Sequence, residues 1–284
     1  MSRIERVTVV GAGTMGHGIA QVAAAAGMDV SLHDVSLEDI LGGLDAVRSN
    51  LDKGVEKGKV TPEQREATLA RLHAAQDLDD AVADSDLVVE AVPESLELKH
   101  GIFERLDRAA PHDALLASNT SSLSIEKIAA ATRHPERVLG MHFFNPVHIM
   151  PLLEIVRGRK TTGQAVDRAL AIARRMGKEP IVVRDCPGFA SSRLGLALGL
   201  EAMRMLEQEV ASADDIDKAM ILGYRHPMGP LRLTDLVGLD VRLAIARSLH
   251  AELGSEAFRP PEILERLVAE GRLGKKSGRG FYEW

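Results

Sequence analysis

The sequence predicts an α/β protein, a doubly wound parallel sheet followed by an all-helical region. Three observations carry that reading. A β-branched run, Val7-Thr8-Val9-Val10, stops at a glycine, and the alanine-rich stretch from Met15 to Ala26 reads as a helix ended by Gly27. A short strand from Asp29 to His33 then ends at Asp34 and completes a βαβ unit. Further apolar runs follow at Leu87-Val88-Val89-Glu90-Ala91-Val92, Ala114 to Ser118, Val138 to Phe143, Leu152 to Val156 and Pro180 to Val183, mostly separated by helical segments. Near-continuous apolar strands of this kind are buried on both faces.

One insertion interrupts the alternation. Between Ser36 and Leu72, the residues Leu37, Ile40, Leu41, Leu44, Val47 and Leu51 recur at helical spacing, and Thr61-Pro62-Glu63-Gln64 forms a capping box, so residues 36–72 read as two helices. Gly54 and Gly58 loosen their junction, which carries Lys53, Lys57 and Lys59. These lysines are either a solvated basic helix end or a phosphate site.

After Asp185-Cys186-Pro187-Gly188 the strand signals stop. The predicted division is therefore a dinucleotide-type domain over residues 1–185 and a helical domain over 186–284. Leu194, Leu196, Ala197, Leu198, Leu200, Met203, Met205 and Leu206 leave the first helix of the second domain little polar surface, so it should be buried nearly all round. About a hundred residues bury such a helix poorly alone, and a homodimer interface would complete the burial. Ser212 with Asp215 starts a further helix, and Pro261 sits where a first helical turn tolerates proline.

Composition excludes several classes. The 284 residues are 45% hydrophobic and 27% charged, near the globular average. With 35 basic and 41 acidic side chains the net charge is −6, so no global basic field attracts nucleic acid, and an anionic substrate needs a local basic site. No stretch approaches membrane-spanning length. Arg3, Glu5 and Arg6 precede an apolar run too short for a signal-peptide core, and Cys186 is the only cysteine, so a cytoplasmic protein without a disulfide is expected. No metal site is expected.

Gly11-Ala12-Gly13-Thr14-Met15-Gly16 is a G-x-G-x-x-G run that follows a strand and opens a helix, with Asp34 at the end of the second strand. That context makes it a dinucleotide fingerprint. Gly11 permits the tight turn, Gly13 lets the backbone approach a pyrophosphate, and Gly16 lets helix and strand pack closely, with Met15 in the same loop. The helix N-terminus faces the phosphates. Asp34 accepts from both ribose hydroxyls and would repel a 2′-phosphate, which favours NAD over NADP. FAD uses the same motif, so the chemistry has to come from elsewhere.

His142 lies at the C-terminal end of one predicted strand and Glu154 within the next. A secondary alcohol losing hydride must also lose a proton, and a histidine is the natural acceptor. Glu154 would hold the imidazole in one tautomer and stabilise the imidazolium. The phrases Ser118-Asn119-Thr120-Ser121-Ser122-Leu123, Met141-His142-Phe143-Phe144-Asn145-Pro146, His226-Pro227-Met228-Gly229-Pro230 and Gly278-Arg279-Gly280-Phe281-Tyr282 span nearly the whole chain. Together they closely resemble the L-3-hydroxyacyl-CoA dehydrogenase family.

The resemblance implies a Rossmann-type domain, an all-helical dimerisation domain and an active site between them. It implies reversible oxidation of the 3-hydroxyl of an L-3-hydroxyacyl-CoA by NAD, with short-chain substrates such as 3-hydroxybutyryl-CoA expected. By resemblance His142 is the base, Glu154 its partner, and Ser121 the hydroxyl bonded to the reacting oxygen; Ser121 also reads as a helix cap in a serine-rich loop. Asn145 is implied beside the nicotinamide, Glu94 and Lys99 beside the cofactor, and Lys276 near it from the tail. Lys57 resembles the coenzyme-A lysine in position, and Asn50 falls where the family places a serine. One departure is visible: after Asp185-Cys186-Pro187-Gly188-Phe189 this chain reads Ala190-Ser191-Ser192-Arg193, so Ser192 stands where the family commonly has asparagine. A serine keeps hydrogen-bonding ability with shorter reach. Dehydrogenases of free sugar acids or hydroxyacids and lens proteins of the lambda-crystallin type share the fold, but loss of His142 or Glu154 would have marked the latter, and both are present.

Overall fold

The computed structural model describes residues 5–284, so Arg3 lies outside the described residues. The chain divides into two compact units, residues 1–186 and 187–284. The first opens with β1 (Arg6–Val10), α1 (Gly16–Ala25), β2 (Asp29–His33), α2 (Leu37–Glu56), α3 (Pro62–Leu69) and β3 (Leu72–Ala75). It continues with α4 (Leu78–Val82), β4 (Leu87–Glu90), α5 (Leu96–Ala109), β5 (Leu115–Ser118), α6 (Ile125–Ala129), β6 (Val138–Phe143), β7 (Leu152–Arg157), α7 (Gly163–Arg175) and β8 (Glu179–Arg184). The eight strands form one sheet in the order β3-β2-β1-β4-β5-β6-β7-β8. All neighbours are parallel except β6 and β7.

Local chemistry accounts for most of these boundaries. Ser36 caps α2 by accepting from the Asp39 N–H, and Thr61 with Gln64 makes the expected reciprocal capping box at α3. The central strands β4, β5 and β6 are buried at every position, as their apolar runs require. The edges differ. β3 was not legible, because Leu72-His73-Ala74-Ala75 has no β-branched residue, and it pairs because β2 offers an open ladder from Val30 to His33. β8 forms the opposite edge and leaves Ile181 and Val182 exposed, against the expectation of burial on both faces.

The second unit comprises α8 (Ser191–Glu207), α9 (Ala213–Lys218), a π-helical turn (Ala219–Gly223), α10 (Pro230–Val237), α11 (Leu239–Leu253) and α12 (Glu262–Ala269). Its core gathers Leu196, Leu200, Met203, Ile216, Leu231, Leu239, Leu243, Leu249 and Leu264. The expectation that α8 is buried all round fails within one chain, because Leu194 is 72% exposed on the face away from that core. Ser212 caps α9 by accepting from Asp215, and Pro261 is the N-cap of α12 rather than a residue of its first turn.

Two buried aspartates explain Gly229 and Gly280 of the last two quoted phrases. Asp217 accepts from the first-turn N–H groups of Leu231 and Arg232 in α10 and from the Tyr282 hydroxyl at 2.8 Å. A Cβ on Gly229 would lie 2.2 Å from it. Asp235, fully buried, accepts from the N–H groups of Phe281 and Tyr282 at 2.9 Å and from the Trp284 indole at 3.0 Å. The tail is thereby fastened to α10, which requires glycine at position 280, where a Cβ would lie 2.2 Å from Asp235 Oδ1.

Candidate active site

Strands β1, β4, β5 and β6 end at the same edge of the sheet, and the chain order reverses between β1 and β4. Open α/β sheets bind ligands in the crevice at that point. A cleft of about 780 Å³ opens there, lined by the Gly11–Met15 loop, by His17, Asp34, Glu38, Asp39, Gly42 and Gly43, and by Ala91, Val92 and Pro93 beyond β4. Gly11 has φ +102°, and a Cβ on Gly16 would sit 1.6 Å from the Gly11 carbonyl oxygen, so the protein's own packing demands both glycines. Gly13 differs: a Cβ there would meet nothing within 4 Å. The space over Gly13 belongs to the cleft, as a pyrophosphate cradle at the start of α1 requires.

Asp34 sits at the cleft with one carboxylate oxygen accepting from the Ala12 N–H at 2.6 Å and the other from the Val35 N–H at 2.7 Å. With Glu38 and Asp39 on the same wall, the position for a ribose is acidic, and a 2′-phosphate there would meet three carboxylates. These residues fit a dinucleotide without that phosphate.

The catalytic candidates meet by strand register. His142 and Glu154 are directly opposite one another in the antiparallel β6–β7 pair. Cross-strand partners have neighbouring Cβ atoms on one face. His142 Nδ1–H donates to Glu154 Oε2 at 2.7 Å, with Glu154 fully buried and His142 nearly so. An ionised carboxylate only accepts, so a Glu154 carboxylate pairs with the Nδ1–H tautomer, in which Nε2 is the basic nitrogen. The Phe144 ring packs against the imidazole at a centroid distance of 4.5 Å.

The serine loop after β5 is organised by Glu94. Its Oε1 accepts from the Thr120 hydroxyl at 2.6 Å, the N–H groups of Ser121 and Ser122 at 3.0 and 3.1 Å, the Ser122 hydroxyl at 3.0 Å and, more distantly, the Ser121 hydroxyl at 3.4 Å. Ser121 is exposed, and the cap of α6 is Ser124, which accepts from the Lys127 N–H. The helix-cap alternative for Ser121 is therefore not the one realised. Burial pushes the Glu94 carboxyl up, but the Thr120 hydroxyl, the Lys99 charge, the Ser121 N–H and the Ser122 hydroxyl outweigh it and hold the carboxyl below its ordinary value.

Lys99 lies inside the protein, 1% exposed, and not on the cleft wall. Its ammonium pairs with Glu90 at 2.6 Å and Glu94 at 3.4 Å and donates to the Val92 carbonyl at 3.4 Å. Glu90 in turn accepts from the Val92 N–H and the Ser118 hydroxyl. Lys99 thus supports the cleft wall through Val92 and the serine loop through Glu94. Sequence reasoning missed Glu90, although a carboxylate closing the apolar strand Leu87-Val88-Val89-Glu90 was a visible signal of a buried partner.

Other residues lie apart from this cluster. Asn145 follows β6 and is not part of the cleft lining. Asn50 donates to Gln21 Oε1 at 3.2 Å and ties α2 to α1. Lys57 is the exposed C-cap residue of α2, with Lys53 and Lys59 exposed beside it. In the second unit, Ser192 lies half-buried in the first turn of α8, and Lys276 pairs with Asp240 at 2.6 Å. Cys186 is half-buried. Among the described residues no helix is long and apolar enough to cross a membrane.

Residues 6–186 match the family model described as 3-hydroxyacyl-CoA dehydrogenase, NAD binding domain, and residues 188–284 match that of the C-terminal domain of the same family. A 3-hydroxybutyryl-CoA dehydrogenase of Mycobacterium tuberculosis is 46% identical over 283 residues, covering 99% of each chain. The crystal structure of (S)-3-hydroxybutyryl-CoA dehydrogenase from Ralstonia eutropha superposes with a TM-score of 0.95 at 40% identity, covering 99% of each chain. A 3-hydroxyadipyl-CoA dehydrogenase of Escherichia coli K12 is 43% identical over 285 residues, all of this chain and 60% of that one.

The lowered Glu94 carboxyl makes the serine loop acid-sensitive. A group whose folded value is depressed contributes stability that is present above its unfolded value and lost as pH falls through the folded one. Urea midpoints should therefore hold from neutral pH to about pH 5 and fall below it, and Glu94→Gln should fall less over the same acid range. Parallel acid curves for the two proteins would mean that Glu94 contributes nothing to that loss.

Proposed function

Since the chain belongs to the 3-hydroxyacyl-CoA dehydrogenase family, we propose that it reversibly oxidises the 3-hydroxyl of a short-chain L-3-hydroxyacyl-CoA, such as 3-hydroxybutyryl-CoA, with His142 as the base. The observation that carries this reading is the buried His142–Glu154 pair, oriented with Nδ1 toward the carboxylate. The 3-hydroxyl proton passes to His142 Nε2 as the C3–H bond breaks. Glu154 offsets the charge that develops on the ring, a service a neutral residue cannot supply. NAD, held at the Gly11–Gly16 loop, would supply the hydride acceptor.

Ser121, held in place by Glu94, hydrogen-bonds the reacting oxygen, which changes from alcohol to ketone and can be met by one donor and two acceptor lone pairs. The Gly11–Gly16 loop and the α1 N-terminus hold the pyrophosphate of NAD, Asp34 the adenosine ribose, and Asn145 the nicotinamide side. Ser192 donates to the thioester region, Lys276 serves the cofactor, and Lys57 with Asn50 serves the coenzyme A phosphates. We assign the enzyme to the cytoplasm, with an acyl-CoA as its partner.

The kinetic series that tests the reading uses acetoacetyl-CoA and NADH. His142→Gln should lower turnover by roughly two to four orders of magnitude while NADH still binds, and Glu154→Gln should move in the same direction. Ser192→Ala should cost only about 1 kcal/mol in kcat/KM. Lys57→Ala should raise KM with turnover nearly unchanged, the pattern of lost uniform binding. Near-native turnover in His142→Gln would remove the proposed mechanism, and equal rates with free acetoacetate would remove the thioester assignment.

We further propose a homodimer formed by the second unit, supported by the exposed apolar side chains Leu194, Leu222 and Tyr224. Light scattering at micromolar concentration should give twice the 30.7 kDa chain mass, and a monomer would overturn the assignment.

A further inference from the structure

We propose that Asn119 is a positioning residue for His142, its side-chain amide taking the place of a missing strand at the point where β6 delivers the histidine. This inference rests on the reading of His142 as the base and extends it to a residue that does not touch the substrate.

The sheet is incomplete where the chemistry takes place. The parallel ladder between β5 and β6 ends with Ser118 opposite Gly140, because β5 stops there to release the serine loop. β6 runs on for three more residues and over that stretch has a neighbouring strand on one side, through the pairs His142 with Glu154 and Phe143 with Leu153. On the β5 side the Phe143 N–H would lose its ladder partner, and a buried N–H without an acceptor is costly.

Asn119 supplies the acceptor. Its Oδ1 takes a hydrogen bond from the Phe143 N–H at 2.9 Å, as a backbone carbonyl of an extended β5 would. Its own N–H donates to the Glu90 carbonyl at 2.7 Å, which fixes it to β4. Glu90 is itself immobilised by Lys99, Ser118 and the Val92 N–H. The backbone one residue beyond His142 is thus tied through Asn119 to the buried ion pair beneath the cleft. Asn119 also lies two residues before Ser121, so one residue sets where β6 ends and where the serine loop begins.

Asparagine suits this task because its side-chain carbonyl reaches a backbone N–H that its own main chain cannot. A misplacement of about 1 Å at a catalytic group can cost about 100-fold. Asn119→Ala should therefore lower turnover roughly 10- to 100-fold, with the NADH dissociation constant changed less than about threefold. Asn119→Asp, which keeps an oxygen at the same position, should recover most of that loss.

The decisive experiment is a double-mutant cycle with His142→Gln. If Asn119 acts through the histidine, adding Asn119→Ala to His142→Gln should lower turnover by less than about threefold further. A full additional loss in that background, or a native rate in Asn119→Ala alone, would overturn the proposal. So would a loss that Asn119→Asp fails to recover. Asn119→Ser, whose hydroxyl falls short of Phe143, carries the same cycle should the alanine chain not fold. Failure of the base reading is seen separately, as near-native turnover in His142→Gln alone.

Discussion

The reversal of direction between β6 and β7 is the constraint on which the site depends. In a parallel pair, two residues at the ligand-binding edge would both come from strand ends, with a crossover between them. Here β7 starts at the edge where β6 finishes, so Glu154 near the start of one strand falls directly opposite His142 near the end of the other. The short connection from Phe144 to Pro151 is enough to bring them together. A buried carboxylate is costly in isolation, and removing one member of a buried pair typically costs about 3–5 kcal/mol because the other charge is left uncompensated. The pair is therefore part of the fold as well as of the chemistry.

A second buried ion pair lies under the cofactor cleft. Lys99 and Glu90 face each other between β4 and α5, and the remaining valences of Glu90 reach Val92 and Ser118, while Lys99 also meets Glu94. The cleft wall, the end of β5 and the serine loop share this one anchor. Such a network fixes relative positions more than it adds stability, since desolvation offsets much of its attraction.

Much of the fold was legible because its signals are local. The glycine run between a β-branched strand and an alanine-rich helix, the capping box at Thr61 and the apolar runs of the central strands each state their structure within a few residues. The His142–Glu154 pair was legible for a related reason, as both lie in recognisable consecutive strands. Properties decided by distant neighbours were not. β3 exists because β2 has an open edge, not because Leu72-His73-Ala74-Ala75 favours extension. Lys99 reads as a cofactor contact in sequence, but the carboxylate that claims it, Glu90, belongs to a strand nine residues earlier. The glycines at 229 and 280 read as motif positions, and their cause is the pair of aspartates at 217 and 235, invisible until the tail is seen folded against α10.

The central claim is that Glu154 holds His142 in the tautomer that leaves Nε2 basic, and the nitrogen chemical shifts of the ring test it most directly. In protein labelled with nitrogen-15 at histidine, with His142 assigned by its absence in the His142→Gln spectrum, neutral His142 should show a protonated Nδ1 and a bare Nε2. A protonated Nε2 with a bare Nδ1 in the folded enzyme would contradict the account.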